Sequence, residues 1–214
     1  MKKLIIHRTC YRSKSKYPLI CCGTSNLTNS YIAQINSSGM SKSFSRPDWD
    51  EYFMLQAELA KLRSNCLTRQ VGAVIVRNHR QLATGYNGTP PGIKNCFEGG
   101  CKRCQLRMEG KIKSGESLDR CLCTHAEANA IMHCAILGIE AGTSGAILYT
   151  TFVPCLECTK MAITIGIKKF VCLDSYPETD FDLLKEAGVK VVKLDKNKIS
   201  KWAQELVNQY DNSS

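Results

Sequence analysis

Two short segments constrain this chain more than anything else in it: His125-Ala126-Glu127 and, thirty residues further on, Pro154-Cys155-Leu156-Glu157-Cys158. Each opens a stretch of helical periodicity, so a fold that uses both must bring two helix N-termini to one point. One imidazole and two thiolates make a tripod that leaves the fourth tetrahedral position of a zinc ion free for water, whereas structural zinc sites fill all four positions with protein. The open position points to catalysis. Unpaired amide N–H groups and the helix dipole favour the thiolate forms of Cys155 and Cys158 in the first turn of a helix. Zinc lowers the pKa of its bound water toward neutrality, and a carboxylate such as Glu127, two residues from the imidazole, accepts and redelivers the proton without binding the metal. A lone C-x-x-C is commonly a redox pair or half a zinc knuckle, and a lone His at a helix start commonly a capping residue. The two together, in this order and with Pro154 before the first Cys, carry the reading.

The flanking pattern says what sort of fold delivers them. Asp48 to Arg63 reads as a helix, with Pro47 near its first turn, acids at Asp48, Asp50 and Glu51, and Tyr52, Leu55, Leu59 and Leu62 at helical spacing. Val71 to Val76 is a β-branched run that pairs with Gln81 to Tyr86 across the polar turn Asn78-His79-Arg80. Asn87 to Thr124 is a Gly-, Pro- and Cys-containing loop with a basic patch, too irregular for a regular element. Beyond it come a helix from Ala126 to Leu137, a strand Ala146 to Thr150, a helix Leu156 to Ile165 and a strand Lys169 to Leu173. A helix Asp180 to Glu186, a strand Val189 to Lys193 and an amphipathic helix Ile199 to Val207 follow. Alternating helices and strands imply an α/β sandwich with a mainly parallel second half.

With 214 residues and 43% hydrophobic composition the chain can bury one sizeable core. No run approaches the roughly 18 to 20 apolar residues of a membrane span, and the apolar start Leu4-Ile5-Ile6 ends at His7 and Arg8, short of a secretory signal core. The expected compartment is the cytoplasm. Residues 1–45 are expected to be a basic, disordered N-terminal tail, with Met40 as an alternative start, and residues 46–214 the catalytic domain, with a cysteine-rich insertion around 95–124. The formal charge of +10 resides mostly in that tail: residues 1–39 hold six Lys or Arg and no acid, leaving +4 for the rest. Nucleic acid is therefore not the expected partner. Thirteen cysteines without an export signal point to metal rather than disulfides.

The stretch from Arg46 to Lys193 resembles the deoxycytidylate deaminases of the cytidine deaminase-like superfamily. Four segments carry the resemblance, Asp48 to Met54, Val71 to Val76, Gly85-Tyr86-Asn87-Gly88-Thr89-Pro90, and His125 to Ile131, and the H-x-E then P-C-x-x-C order is the signature of zinc nucleobase deaminases. Deaminases of the free nucleoside usually carry Cys where His125 stands, and tRNA adenosine deaminases usually lack the Tyr-Asn-Gly loop and the insertion. The resemblance implies a three-layer α/β/α sandwich with a central mixed sheet of about five strands. It implies hydrolysis of dCMP to dUMP and ammonia for thymidylate synthesis, attack falling on ring carbon 4 and Glu127 protonating ring nitrogen 3 and the departing amine. It assigns substrate contacts to Asn87 (sugar or phosphate), the Ala126 amide (base carbonyl) and Tyr176 (packing on the base); as plain sequence, Asn87 also suits a turn and Tyr176 a loop. It further implies a homo-oligomer, commonly a hexamer, with dCTP and dTTP as effectors bound with Mg2+.

Six more cysteines lie in or beside the insertion. A second, structural zinc is the natural way to order such a loop, with Cys96, Cys101, Cys104 and Cys123 preferred and Cys66 and Cys121 as substitutes. The alternative is a set of reduced thiols packed as small hydrophobes, the role expected of Cys134 and Cys172. Two other functions compete: a deaminase of tRNA or single-stranded polynucleotide, supported by the net charge, and an inactive zinc-scaffold interaction module, against which Glu127 argues.

Overall fold

The computed structural model describes residues 45–139, 143–175 and 181–211. The expected tail, apart from Ser45, and Tyr176 lie outside the described residues. The chain divides between Ser45 and Arg46, and the architecture below is that of the second unit.

The first helix, α1 (Trp49–Lys61), starts at a capping box: Asp48 accepts from the Glu51 amide at 2.8 Å and Glu51 accepts from the Asp48 amide at 3.0 Å. Pro47 therefore precedes the cap and lies outside the first turn. The helical period is as expected, but its buried stripe is Phe53, Met54, Ala57 and Ala60, while Tyr52, Leu59 and Leu62 face outward. Gly72 explains the phase. A Cβ there would lie 2.0 Å from the Ala57 carbonyl oxygen, so a small pair, Ala on the helix and Gly on the strand, sets the closest approach, and Phe53 and Met54 flank it. Burying those two side chains contributes about 1.5–3 kcal/mol each.

The sheet runs in the order β2-β1-β3-β4-β5. Strands β1 (Gly72–Arg77) and β2 (Arg80–Tyr86) form a hairpin whose two turn residues, Asn78 and His79, have φ of 51° and 55°. This is the left-handed geometry that matches strand twist, and it places Arg80 in β2, paired with Arg77. Strand β1 is antiparallel to β3 (Ile147–Phe152), whereas β3, β4 (Lys169–Asp174) and β5 (Lys190–Lys193) are parallel. Helix α2 (Lys102–Met108) and two 3-10 turns, Cys96–Glu98 and Leu118–Arg120, interrupt what the sequence reads as a wholly irregular insertion.

Alternation along β1 sorts the core into two layers. Ala73 and Ile75 meet α3 (Ala126–Ile136), α4 (Leu156–Thr164) and α5 (Phe181–Glu186) through Ala130, Cys134, Ala162 and Leu184. Val74 and Val76 meet α1 and α6 (Lys196–Asp211) through Phe53, Met54 and Ile199. The three-layer α/β/α sandwich with a five-stranded mixed sheet is thus present. Helix α6 begins three residues before the expected Ile199, and its Trp202 Nε1 donates to Glu51 at 3.0 Å, tying it to α1. Among the described residues no helix is long and apolar enough to cross a membrane.

Candidate active site

Helix α4 starts immediately after β3, at the carboxyl end of the parallel strands, where open α/β sheets place their ligands. Cys155 is its N-cap and Cys158 lies in its first turn, while His125 is the N-cap of α3. The His125 Nδ1 lies 3.3 Å from the Cys155 Sγ and 3.5 Å from the Cys158 Sγ, and all three atoms fall within 4.8 Å of one another. Zinc bonds of about 2.0–2.3 Å at tetrahedral angles put nitrogen and sulfur roughly 3.5 Å apart, so the donor set fits the ion. Its proton chemistry fits as well. Cys155 is drawn down to about 4, first by its hydrogen bond with Cys158 and then by His125, while Cys158 is pushed up by Cys155 and by burial. His125 is raised to about 9, chiefly by its hydrogen bond with Cys155. Thiolate and imidazolium hold each other where a cation would replace the shared proton.

Glu127, in the first turn of α3, is 4% exposed. Burial pushes its carboxyl upward against the pull of His125. The Thr150 hydroxyl of β3 lies 3.0 Å from Glu127 Oε1 and 2.8 Å from the Phe152 carbonyl oxygen. Thr150 is a partner the sequence reading missed. Its position on the strand preceding Cys155 is the only local signal for it, because the contact with Glu127 exists only once α3 lies on β3.

Asn87 borders the same cleft as His125 and Glu127. Its Oδ1 accepts from the Val71 amide and the Ser64 hydroxyl, both at 2.7 Å, and its Nδ2 donates to the Arg69 carbonyl at 2.7 Å. One Nδ2 hydrogen remains for a ligand, so the residue first of all fastens the loop after α1 to the end of β2. The buried Ala126 stands at the first position of α3 and also lines the cleft. Three arginines absent from the sequence reading face it too: Arg69, Arg103 and Arg107. Arg69 stacks over the Phe152 ring at 4.1 Å, Arg103 donates to the Glu116 carbonyl at 3.0 and 2.7 Å, and Arg107 donates to Thr68 at 3.2 Å. Three guanidinium groups around a cleft suit a phosphate.

The other cysteines of the insertion converge beside this cleft. They form two groups, Cys66, Cys96, Cys104 and Cys123, and Cys101, Cys104, Cys121 and Cys123, with the sulfurs of each within 4.8 Å of one another. The preferred set of Cys96, Cys101, Cys104 and Cys123 is split between the two, and Cys66 and Cys121, the substitutes, stand as full members. Cys134 and Cys172 are buried apart from these groups.

Residues 47–174 match the family described as the cytidine and deoxycytidylate deaminase zinc-binding region. The chain is 47% identical to the deoxycytidylate deaminase of Schizosaccharomyces pombe, the match covering 68% of this chain and 44% of that one. It is 46% identical to the deoxycytidylate deaminase of Saccharomyces cerevisiae, covering 68% and 45%. The chain thus spans less than half the length of these two relatives. A solved structure of the dCMP deaminase of cyanophage S-TIM5, in complex with dCMP and dUMP, is similar at 34% identity and a TM-score of 0.55, over 71% of this chain and 100% of that one.

Proposed function

The chain belongs to the cytidine and deoxycytidylate deaminase family, and from that premise we propose that it hydrolyses dCMP to dUMP and ammonia, with His125, Cys155 and Cys158 holding a zinc ion. The observation that carries this reading is the buried Glu127 carboxylate beside the tripod, in a cleft that three arginines also face. Zinc, when bound there, polarises a water molecule and makes it a nucleophile at neutral pH.

The chain's own groups do the rest. Glu127 takes a proton from the attacking water and gives it to ring nitrogen 3 while the C–O bond forms at ring carbon 4. It then takes the remaining proton of the added hydroxyl to the exocyclic amine, the C–N bond breaks, and ammonia leaves. A carboxyl raised by burial is suited to hold a proton between those steps. Thr150 fixes the carboxylate's rotamer. The amide of Ala126, among the unpaired donors of a helix start, takes the base carbonyl, and Arg69, Arg103 and Arg107 take the 5′-phosphate. Ten cysteines among the described residues, none of them paired in a disulfide, support a reducing compartment such as the cytosol.

The test is ammonia release from dCMP, with cytidine, CMP and a tRNA as comparison substrates, using wild type and Glu127→Ala and determining zinc in both. Turnover of dCMP alone, lost in a variant that keeps its catalytic zinc, supports substrate and proton shuttle together. Zinc-loaded protein that ignores dCMP and deaminates RNA sinks the substrate assignment.

A further inference from the structure

We propose that the six thiols of the insertion form a binuclear zinc centre, two ions bridged by Cys104 and Cys123, with Cys66 and Cys96 completing one tetrahedron and Cys101 and Cys121 the other. The geometry points there because the two four-thiol groups share two members. Two tetrahedra with a common edge need six donors, two shared and four terminal, and six are present. Cys104 neighbours all four terminal thiols, Cys66, Cys96, Cys101 and Cys121. Its sulfur is 3.9 Å from those of both Cys66 and Cys121, and the Cys101 and Cys121 sulfurs are also 3.9 Å apart. Zinc–sulfur bonds of about 2.3 Å at tetrahedral angles separate the sulfurs by roughly 3.8 Å. A disulfide needs about 2.05 Å.

Packing argues against the reading of these cysteines as a small apolar core. The insertion buries Cys96, Cys101, Cys104 and Cys123 while leaving Phe97, Met108 and Leu122 at 59%, 60% and 55% exposure. Apolar burial would have taken the three large side chains first, since each offers more area than a thiol. Charge agrees. Six thiolates and two divalent ions leave a net −2, and residues 94–124 carry seven Lys or Arg against four Asp or Glu. Soft, all-sulfur tetrahedral donors select zinc among the common divalent ions. On assembly six S–H bonds give up their protons to solvent and eight Zn–S bonds form, counting each bridging sulfur twice. Helix α2 carries Cys104 together with Arg103 and Arg107, so the centre also fixes the arginine wall of the cleft.

The experiment counts zinc per chain by mass spectrometry in the 214-residue protein purified under reducing conditions. Three are expected for wild type, two for Cys155→Ser, which disables only the catalytic site, and no more than two for Cys104→Ser, whose five remaining thiols can complete at most one tetrahedron. A wild-type count of two that falls to one in both variants means a single four-thiol site and overturns the proposal. So does iron with visible absorption. Should Cys104→Ser fail to fold, the wild type still decides the matter: zinc-edge X-ray absorption must show a metal–metal scattering path, and its absence from protein holding three zincs removes the bridge.

Discussion

The hydroxyl of Thr150 faces two acceptors, Glu127 and the Phe152 carbonyl, and has one proton to give. It donates to Glu127 while that carboxylate is ionised. When Glu127 carries a proton, the carboxyl donates to Thr150, which then turns its own proton to Phe152. The same side chain would therefore serve both states of the proposed shuttle. Thr150→Val removes this partner at nearly constant volume, and losing one hydrogen bond to a charged group costs about 1.5–3 kcal/mol. We expect kcat for dCMP to fall about tenfold to a hundredfold with zinc content unchanged and Thr150→Ser to recover most of it; a Val variant of wild-type kcat would remove Thr150 from the mechanism. Arg107 permits a cleaner test of the phosphate than Arg103, which is 5% exposed and pinned to Glu116. Arg107→Ala should raise KM for dCMP by about tenfold to a hundredfold, one charge-assisted contact being lost, and leave any residual turnover of deoxycytidine as it was. Equal loss on both substrates would mean that Arg107 supports the fold and not the phosphate.

At the scale of elements, the proposed zinc ligands are legible in the sequence because each sits at a helix N-terminus announced by its own neighbours, His125 before the Ala-rich α3 and Cys155 after Pro154. The arginines are not. Residues 69, 103 and 107 meet only through the fold, and α2 is a seven-residue helix beside a thiol cluster with no apolar stripe of its own. Helical spacing alone does not say which face of α1 is buried: Leu59 and Leu62 are more apolar than Ala57 and Ala60, but the approach of Gly72 decides which side can touch the sheet. Gly85 plays the same part for α3. A Cβ there would lie 2.1 Å from the Ala126 carbonyl oxygen and 2.5 Å from the Ala130 amide nitrogen, all of it backbone. Gly85→Ala must push α3, and with it His125 and Glu127, away from β2. Overpacking of this kind costs about 1–3 kcal/mol, and at about 2–4 °C per kcal/mol for a domain of this size calorimetry should show Tm lowered by several degrees. Catalytic zinc should be lost more readily to a chelator than in wild type, and an unchanged Tm would mean that α3 is less tightly seated than its contacts imply.

For the molecule as a whole, the open matter is whether its charge recruits a polymer or merely accompanies a small-molecule enzyme. Of the +10, six charges lie before residue 40, in a stretch without a single acid, and the remaining +4 is spread over the rest. The guanidinium groups that face the cleft suit one phosphate, and the thiol centre proposed beside them would itself be anionic, which would work against a long basic track on that side. A chain begun at Met40 should therefore keep the kcat/KM of the full chain for dCMP, because every residue assigned to the reaction lies after it. Any affinity of the 214-residue chain for single-stranded oligonucleotides should fall steeply as salt rises, the mark of released counterions, and the shortened chain should lose most of both the affinity and the slope. Salt-dependent binding that survives the truncation would place the basic track on the catalytic unit and favour a polynucleotide substrate. Loss of dCMP turnover on truncation would make the first 39 residues part of the enzyme.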